Sequence, residues 1–467
     1  MYSGDTIAAI ATALSPAGIN IIRISGENAF SVTDSVFRSA KGREFSEIPS
    51  GTVSYGFIEF KGEVLDEVLM LKMAAPHTYT RENLTEIHCH GGILVTKRVL
   101  EAVLSSGARL AESGEFTKRA FLNGRIDLSQ AEAVMDIIGS GSDLARRNSM
   151  KQLRGDLRET IGNIREAIIL ETAHIEAALD DPEHISLEGF TEELLPKVDA
   201  LLKELHLLLS SFETGKIIKD GVNVVIAGRP NAGKSSLLNA LLNEERAIVT
   251  SVAGTTRDTI SESLDIGGLV LNLTDTAGIR QSEDVVESIG IDRARRAASQ
   301  AQLILYIIDS PLGITEEDIE NLKSFSDRKV ILIYNKEDLV TNLPFPGSCS
   351  DSVNSGDGFI KDLPSLGISA LNGSGIDSLK EMIRSMFLSG NLEAGHDIII
   401  TNVRHADLLK NAIGSLELVR SGIETGADED LLSIDLMDAY RFLGEITGEE
   451  YRDDLADKIF SAFCMGK

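Results

Sequence analysis

GRPNAGKS, at Gly228–Ser235 of a 467-residue chain, matches the pattern GxxxxGKS. An apolar run, Val222–Ala227, precedes it, and a helical pattern over Ser236–Leu242 follows it. A strand, a glycine-rich turn and a helix in this order predict a phosphate-binding loop, because backbone N–H groups and the helix N-terminus converge on phosphate oxygens. We expect Lys234 to reach the β- and γ-phosphates and the Ser235 hydroxyl to bind Mg²⁺. The alternative is a coincidental glycine-rich turn, which would require neither the strand nor the helix.

Two further motifs follow in order. The predicted strand Leu269–Leu273 leads into Asp275–Gly278 (DTAG), whose carboxylate can orient Mg²⁺ through water. The predicted strand Val330–Tyr334 leads into Asn335–Asp338 (NKED), an NKxD pattern. Asp338 can accept two hydrogen bonds from guanine, and adenine lacks that donor pair, so the pattern favours guanine. In this order the motifs resemble those of the TRAFAC-class GTPases related to translation factors.

The predicted catalytic machinery differs from that of Ras-like enzymes at one position. Those enzymes place a water-orienting Gln directly after the DxxG glycine, and this chain has Ile279 there. We therefore expect another group to orient the water, and the loop offers Arg280, Asp284 and Glu287. Asn231 could hold a monovalent cation beside the phosphates. Thr256, in GTTRD, is predicted to add a hydroxyl to Mg²⁺ in a nucleotide-dependent loop, the alternative being a solvated turn.

Composition restricts the class of protein. The net charge of −27 argues against broad, non-specific nucleic-acid binding. Three distant cysteines and no CxxC pattern make a disulfide framework unexpected and favour a reducing cytoplasm. The longest apolar stretches, such as Leu303–Ile308, are too short to cross a bilayer. Residues 6–14 are apolar, but Asp5 and no basic residue precedes them, so we reject a signal peptide.

Hydrophobic periodicity divides the chain into three predicted domains. β-rich runs at Ile19–Ser25, Thr52–Phe60, Val64–Met73 and Thr85–His90 predict an α+β domain over residues 1–120. Ser129 and Glu132 form a capping-box pattern, after which a long amphipathic helix is expected to end near Asp181. Strands alternating with helices predict an α/β Ras-like P-loop GTPase domain over residues 216–380, with a loop at 347–358. We expect this domain to be inserted into an all-α helical domain, residues 121–215 plus 381–467.

Four segments resemble one family. The chain ends FCMGK (Phe463–Lys467), and the segments TRENLTEIHCHGG (Thr80–Gly92), GEFTKRAFLN (Gly114–Asn123) and IDLSQAEAV (Ile126–Val134) precede it. Together with GRPNAGKSSLLNALL and IVTSVAGTTRD, they resemble the tRNA-modification GTPase family called MnmE or TrmE, over essentially the whole chain.

The resemblance implies a reaction and partners. The family modifies C5 of the wobble uridine of certain tRNAs, adding aminomethyl or carboxymethylaminomethyl groups. It works with an FAD- and NADH-dependent partner, MnmG (GidA), in a heterotetramer. Its N-terminal domain binds 5-formyl- or methylene-tetrahydrofolate and mediates homodimerisation. Its GTP hydrolysis is activated by K⁺, and it requires Mg²⁺.

The motifs and the resemblance together assign the nucleotide site. The predicted catalytic residues are Glu287, Lys234 and Cys464. Mg²⁺ is assigned to Ser235 and Thr256, and K⁺ to Asn231, Thr250, Val252 and Thr255. The predicted GTP-binding residues are Asn231, Ala232, Gly233, Lys234, Ser235, Ser236, Thr250, Ser251, Val252, Ala253, Gly254, Thr255, Thr256, Asp275, Thr276, Ala277, Gly278, Asn335, Lys336, Asp338, Ser369, Ala370 and Leu371.

The folate site is assigned by resemblance to Arg23, Glu86, Arg125 and Lys467, although many family members have Lys in place of Arg125. Strand alternation places Glu86, His88 and His90 on one face. A pterin ring presents adjacent N–H donors, so Glu86 could bind it as Asp338 binds guanine. The two histidines are otherwise ordinary polar surface, or part of a metal site.

Cys464 and a basic run near residue 150 each allow two interpretations. Cys464 is either a buried packing residue or, by resemblance, a participant in the uridine chemistry. The basic run Arg146, Arg147, Lys151, Arg154 and Arg158 could contact RNA phosphate or form a solvated helix face. Two other functions also remain open: an Era- or Der-like regulatory switch in ribosome assembly, and a one-carbon-transfer enzyme regulated by GTP.

Overall fold

The computed structural model describes residues 4–244, 261–274, 301–340, 360, 362–388, 398–449, 459–461, 463 and 466. The chain divides into two compact units. The first comprises Met1–Met135, Lys151–Leu201 and Asn411–Lys467, and the second comprises Asp136–Met150 and Leu202–Lys410. The multidomain prediction is confirmed, and the three predicted boundaries stay a prediction.

The first unit contains a seven-stranded sheet. Its strands are β1 (Ile7–Ile10), β2 (Ile19–Ser25), β3 (Phe37–Ser39), β4 (Thr52–Phe60), β5 (Glu63–Met73), β6 (Leu84–His90) and β7 (Arg109–Leu110). The order is β3-β4-β5-β6-β2-β1-β7, and only the β1–β7 pair is parallel among the described strands. Helices α1 (Ala29–Val36) and α2 (Ile93–Ser105) pack with the sheet around a core that includes Ile22, Met70 and Ile87. All four predicted strands are confirmed, and β1 was not predicted.

Six helices follow the sheet along the chain. They are α3 (Glu115–Leu122), α4 (Leu128–Gly139), α5 (Asp143–Arg154), α6 (Asp156–Asp180), α7 (Phe190–Ser210) and α8 (Phe212–Asp220). The predicted end of the long helix is confirmed, because α6 stops one residue before Asp181. Leu153 belongs to α5 and Leu157 to α6. The backbone at Gly155 has φ 102°, which ends one helix and begins the next.

The cap of α4 differs from the prediction. Asp127, not Ser129, precedes the helix, and its Oδ1 accepts the Gln130 N–H at 2.7 Å. In return Gln130 Oε1 accepts the Asp127 N–H at 2.9 Å, which completes a capping box. Ser129 lies inside the first turn and donates its hydroxyl to Asp127 at 2.7 Å. The predicted Ser129–Glu132 box is therefore wrong by two residues.

The second unit contains a six-stranded sheet. Its strands are β8 (Val222–Gly228), β9 (Ser261–Ile266), β10 (Leu269–Thr274), β11 (Leu303–Asp309), β12 (Lys329–Asn335) and β13 (Ser365–Gly367). The order is β13-β12-β11-β8-β10-β9, and all described pairs except β9–β10 are parallel. Helices α9 (Lys234–Glu244) and α10 (Glu316–Lys323) lie between strands along the chain, and α11 (Ile376–Phe387) follows β13. The predicted α/β domain with a mainly parallel sheet is confirmed, while the predicted loop at 347–358 lies outside the described residues.

Two long helices come near the end of the chain, α12 (Val403–Thr425) and α13 (Glu429–Thr447). Helix α13 packs against α6, and its apolar residues Leu432, Leu436 and Leu443 are buried. Of the described helices, none has the length and apolar content that crossing a bilayer requires.

Candidate functional site

The loop between β8 and α9 requires its glycines. The backbone has φ 140° at Gly228 and 102° at Gly233, a region that residues with a Cβ rarely adopt. A Cβ at Gly228 would lie 2.4 Å from the Ile307 carbonyl oxygen, and one at Gly233 would lie 2.0 Å from Asn335 Nδ2. Asn231 also has a left-handed backbone, with φ 63°. The loop is therefore fixed by close approaches to two neighbouring strands.

Lys234 lies at the start of α9 and folds back over this loop. Its Nζ donates to the carbonyl oxygens of Gly228 and Arg229, each at 2.8 Å. Burial lowers the pKa of this ammonium, because desolvation disfavours the charged form unless an anion offsets it. A bound phosphate would supply that anion, so the loop fits the predicted phosphate cradle. Ser235 and Ser236 follow in the first helical turn and are exposed.

One buried side chain joins three of the predicted motifs. Asn335 Nδ2 donates to the carbonyl oxygen of Ala232 at 2.9 Å, and its Oδ1 accepts the Ala370 N–H at 3.0 Å. The NKxD asparagine therefore holds the phosphate loop and the Ser369–Leu371 segment at fixed positions. Such ties pre-organise a ligand site, because the side chain is 3% exposed and both its polar ends are bonded.

Hydrogen bonds hold the predicted guanine-binding segment in place. Asp338 Oδ1 accepts the Ser369 hydroxyl at 2.6 Å, which fixes the carboxylate in one orientation. Lys336 has a left-handed backbone, and its Nζ donates to Asp309 Oδ2 at 2.6 Å. Asp338 is exposed and Leu371 is 89% exposed, so a purine ring can reach the carboxylate.

A buried network of hydrogen bonds and one ion pair behind the phosphate loop was not predicted from the sequence. Arg229 Nε lies 3.1 Å from Asp318 Oδ2, and Arg229 Nη2 donates to the Gly313 carbonyl oxygen at 3.0 Å. Asp318 is fully buried, and its Oδ1 accepts the Tyr306 hydroxyl at 2.9 Å. Burial and the neighbouring carboxylate raise the pKa of Tyr306. The pattern Thr315-x-x-Asp318, a capping box at α10, was the available signal.

Some of the residues predicted to bind nucleotide, to bind folate or to act in catalysis lie outside the described residues. These residues are Thr250, Ser251, Val252, Ala253, Gly254, Thr255, Thr256, Asp275, Thr276, Ala277, Gly278, Glu287, Cys464 and Lys467. Their predicted roles stay predictions.

Three of the four predicted folate residues are among the described residues of the first unit, and they lie together. Arg23 and Glu86 face each other across β2 and β6, with Arg23 Nε 2.8 Å from Glu86 Oε1. The guanidinium carbons of Arg23 and Arg125 lie 5.4 and 4.7 Å from the centroid of the Tyr79 ring. Both distances allow cation–π attraction. Two cations therefore share one aromatic ring beside a carboxylate.

Aromatic residues of this cluster were not predicted individually. Phe116 lies under Arg23, with 5.6 Å from its ring centroid to the guanidinium carbon. The Tyr79 hydroxyl pairs with the Thr117 hydroxyl at 2.8 Å. Phe116 and Thr117 belong to the segment GEFTKRAFLN, and Tyr79 immediately precedes TRENLTEIHCHGG. The sequence therefore marked these segments as family motifs but did not indicate that their side chains would contact one another.

The chain end returns to this sheet. Gly466 has φ 90°, and a Cβ there would lie 2.2 Å from the Ile10 carbonyl oxygen. Ile10 pairs with Ile22 on β2, next to Arg23. Phe460 and Phe463 share a buried cluster with Phe121. Gly466 therefore packs against Ile10, whose strand partner Ile22 is next to Arg23 of the predicted folate cluster.

The strand face of Glu86 carries histidines in different environments. His88 Nε2 lies 3.6 Å from Glu86 Oε2, while His90 is exposed and its Nδ1 lies 2.7 Å from Asp66 Oδ1. The Asp66 carboxylate raises the pKa of His90. Within the described part of the chain, no group of three or more His, Cys, Asp or Glu side chains could hold a metal ion.

The basic run on α5 and α6 is partly neutralised. Arg146 and Arg147 both pair with Asp143 at 2.7 Å, and hydrogen bonding from Arg146 lowers the pKa of that carboxyl. Arg158 lies 3.8 Å from Asp127. Contact with RNA phosphate stays a prediction.

A mainly parallel sheet, a phosphate loop closed by Asn335 and an oriented NKxD carboxylate define a P-loop protein of the GTPase class. Residues 128–464 match the MnmE helical domain, and residues 6–125 match the GTP-binding protein TrmE N-terminus. The chain therefore belongs to the MnmE family of tRNA modification GTPases.

Relatives match over their full length. The tRNA modification GTPase MnmE of Lachnoclostridium phytofermentans is 52% identical over 464 residues, covering 99% of each chain. That of Acetivibrio thermocellus is 44% identical over 470 residues, covering 100% of each. Era of Aquifex aeolicus, solved with GDP and AlF4−, is 26% identical over 42% of this chain and 67% of its own, with a TM-score of 0.26.

Proposed function

We propose that this protein hydrolyses GTP and, with the FAD-dependent partner MnmG (GidA), modifies C5 of the wobble uridine of certain tRNAs. The added group is aminomethyl or carboxymethylaminomethyl, and its one-carbon unit comes from a tetrahydrofolate. The observation that carries the proposal is the presence of two sites in one chain. A nucleotide cradle is held by Asn335, and a separate cluster of Arg23, Glu86 and Arg125 surrounds Tyr79. An Era- or Der-like switch would require only the first.

In the nucleotide site, this chain's residues bind and orient the triphosphate. Lys234 exchanges its bonds to loop carbonyl oxygens for phosphate oxygens, and Asp338 selects the purine. Ser235 and Thr256 would hold Mg²⁺, which neutralises phosphate charge when bound. Ser235 is exposed in the first turn of α9, as this role requires. Glu287 is proposed to orient water indirectly.

The proposed K⁺ site consists of Asn231, Thr250, Val252 and Thr255. Asn231 is exposed in the phosphate loop and carries an amide oxygen, the ligand type that hard cations bind. Replacing Na⁺ by K⁺ should therefore accelerate GTP hydrolysis severalfold in a phosphate-release assay. Equal rates in the two salts at matched ionic strength would remove the role of Asn231.

In the first unit, the charges fit a folate. Arg23, Arg125 and Lys467 outnumber Glu86, and a folate carries carboxylates on its glutamate tail. Glu86 can accept from the adjacent N–H donors of the pterin, and aromatic Tyr79 and Phe116 offer faces beside them. We propose that Cys464 takes part in the uridine chemistry.

We propose that the protein is a homodimer formed through the first unit. Val53, Tyr55 and Leu69 are exposed on one face of β4 and β5, with Tyr55 and Leu69 in register. A second copy would bury this apolar face. Leu69→Glu should shift the sedimentation coefficient to that of a monomer, whereas Leu431→Glu, an exposed leucine on α13, should not. A dimeric Leu69→Glu protein would exclude this face.

The decisive experiment for the proposed function is reconstitution with unmodified tRNA, the flavoprotein with FAD and NADH, methylene-tetrahydrofolate, ammonium or glycine as the amine, and GTP. Nucleoside mass spectrometry should detect C5-modified wobble uridine only when all components are present. The proposal places this reaction in the cytoplasm, in agreement with the buried free thiol of Cys89. Unchanged uridine in the complete mixture, with GTP hydrolysis intact, would favour the regulatory switch.

A further inference from the structure

His88 carries an unsatisfied polar atom beside the proposed folate site. Its Nε2 is buried and has no hydrogen-bond partner among the described residues. Glu86 Oε2 lies 3.6 Å from this nitrogen, which is too far for a hydrogen bond. A buried polar group left unpaired is destabilising, so proteins retain few of them without a reason.

The neighbouring histidine shows that the strand does not impose this state. His90 lies two residues further along β6 and points to the same side of the sheet. It is exposed, and Asp66 accepts both its backbone N–H and a ring contact at 2.7 Å. Unlike the ring of His90, the His88 ring therefore has a buried nitrogen with no hydrogen-bond partner among the described residues, and a ligand could supply that partner.

The two oxygens of Glu86 are used unequally. Oε1 accepts from Arg23 Nε at 2.8 Å, whereas Oε2 is the oxygen nearest the His88 ring. His88 pairs in register with Ile21 on β2 and Leu69 on β5, which places apolar residues on both sides of the imidazole. One carboxylate oxygen and one imidazole nitrogen therefore lie side by side, flanked by apolar residues on the adjacent strands.

We propose that His88 is a further binding residue of this site, and that its Nε2 forms a hydrogen bond with the pterin ring of a bound tetrahydrofolate. The inference rests on the proposed folate function. Adjacent polar atoms line the edge of a pterin, so one atom can pair with Glu86 Oε2 while its neighbour pairs with His88. Imidazole nitrogen can donate or accept, according to its tautomer. Pairing both groups at once fixes the rotation of the ring in its plane.

The test is calorimetric titration of the full-length protein with 5-formyl-tetrahydrofolate. His88→Leu should weaken binding at least tenfold, and His88→Gln, which keeps a polar group at similar reach, should recover part of the loss. His90→Gln, the matched control on the same strand face, should bind as the unmutated protein does. GTP affinity should be the same in all four proteins, which shows that each is folded.

The outcomes separate the inference from the function on which it rests. Unmutated protein that binds the folate, together with His88→Leu that binds within twofold of it, would overturn the inference alone. Absence of folate binding by the unmutated protein would overturn both. A loss in His88→Leu that His88→Gln does not reduce at all would also contradict a hydrogen bond from this position.

Discussion

At Gly233 the backbone has φ 102°, and the space that a side chain would need is occupied by the amide of Asn335. The motif pattern predicted the strand, the glycine-rich turn and the helix found here, because each can be recognised from local sequence alone. It did not predict that Asn335 would bond the carbonyl oxygen of Ala232, 103 positions away. Nor did it predict the Arg229–Asp318 pair, because such contacts depend on which strands become neighbours.

We expect Gly233→Ala to weaken GTP binding by about 10- to 100-fold, since strain and a displaced Asn335 cost ~1–3 kcal/mol. Fluorescent-nucleotide titration measures the change. Gly414→Ala is the control, because that glycine lies in α12 with open space around its Cβ position. Equal affinities for the two variants would contradict the proposed role of the Gly233–Asn335 approach.

The elements show where local patterns are ambiguous. Two overlapping patterns, Asp127-x-x-Gln130 and Ser129-x-x-Glu132, each satisfy the capping-box rule at the start of α4. The structure uses the first, because Asp127 accepts from both the Gln130 N–H and the Ser129 hydroxyl. Strand β1 was missed for a related reason: four apolar residues, Ile7–Ile10, show no alternation that would distinguish a strand.

Removal of the α4 cap should destabilise the protein. Asp127→Ala should lower the free energy of unfolding by about 1–2 kcal/mol, because the capping box and the Ser129 bond are lost together. Urea denaturation followed by circular dichroism measures it. Asp428 also precedes a helix, α13, but makes no side-chain cap bond among the described residues, so Asp428→Ala should cost less than about 0.5 kcal/mol. Equal costs would mean that the Asp127 bonds add nothing.

Across the whole molecule, the chain start and α3 are tied by buried charges. Arg119 is 2% exposed and pairs with Asp5 at 2.7 Å and with Glu82 at 3.1 Å. Arg109 pairs with Glu115 at 2.6 Å. The strands of this unit were readable from alternation, but their order was not, because β2 pairs with β6 although 58 residues, 26–83, separate the two strands. The composition alone gave no indication of such a network.

This network should make stability depend on acid pH. Burial opposes ionisation of Glu115, but the hydrogen bond from Arg109 prevails and lowers the pKa of the carboxyl. For Asp5, likewise, Arg109 and Arg119 outweigh burial and lower the pKa. A depressed folded pKa gives stability that is present above the unfolded pKa and is lost as pH falls through the folded one. Stability should therefore fall from about pH 5 downward.

Urea midpoints measured between pH 7 and pH 3 test this expectation. Glu115→Gln should be less stable at pH 7 and should lose less stability on acidification, because one of the depressed carboxyls is gone. Asp377→Asn, at an exposed position in α11, controls for the change of net charge. Parallel pH profiles for Glu115→Gln and the unmutated protein would contradict the assignment.

The account depends most directly on guanine selection by Asp338 within the preformed loop. Calorimetric titration of the purified protein with GDP, ADP and xanthosine diphosphate tests it. We expect GDP to bind at least about 100-fold more tightly than ADP, and Asp338→Asn to prefer xanthosine diphosphate, whose 2-oxo group accepts where guanine donates. Equal affinities for GDP and ADP in the unmutated protein would contradict the account.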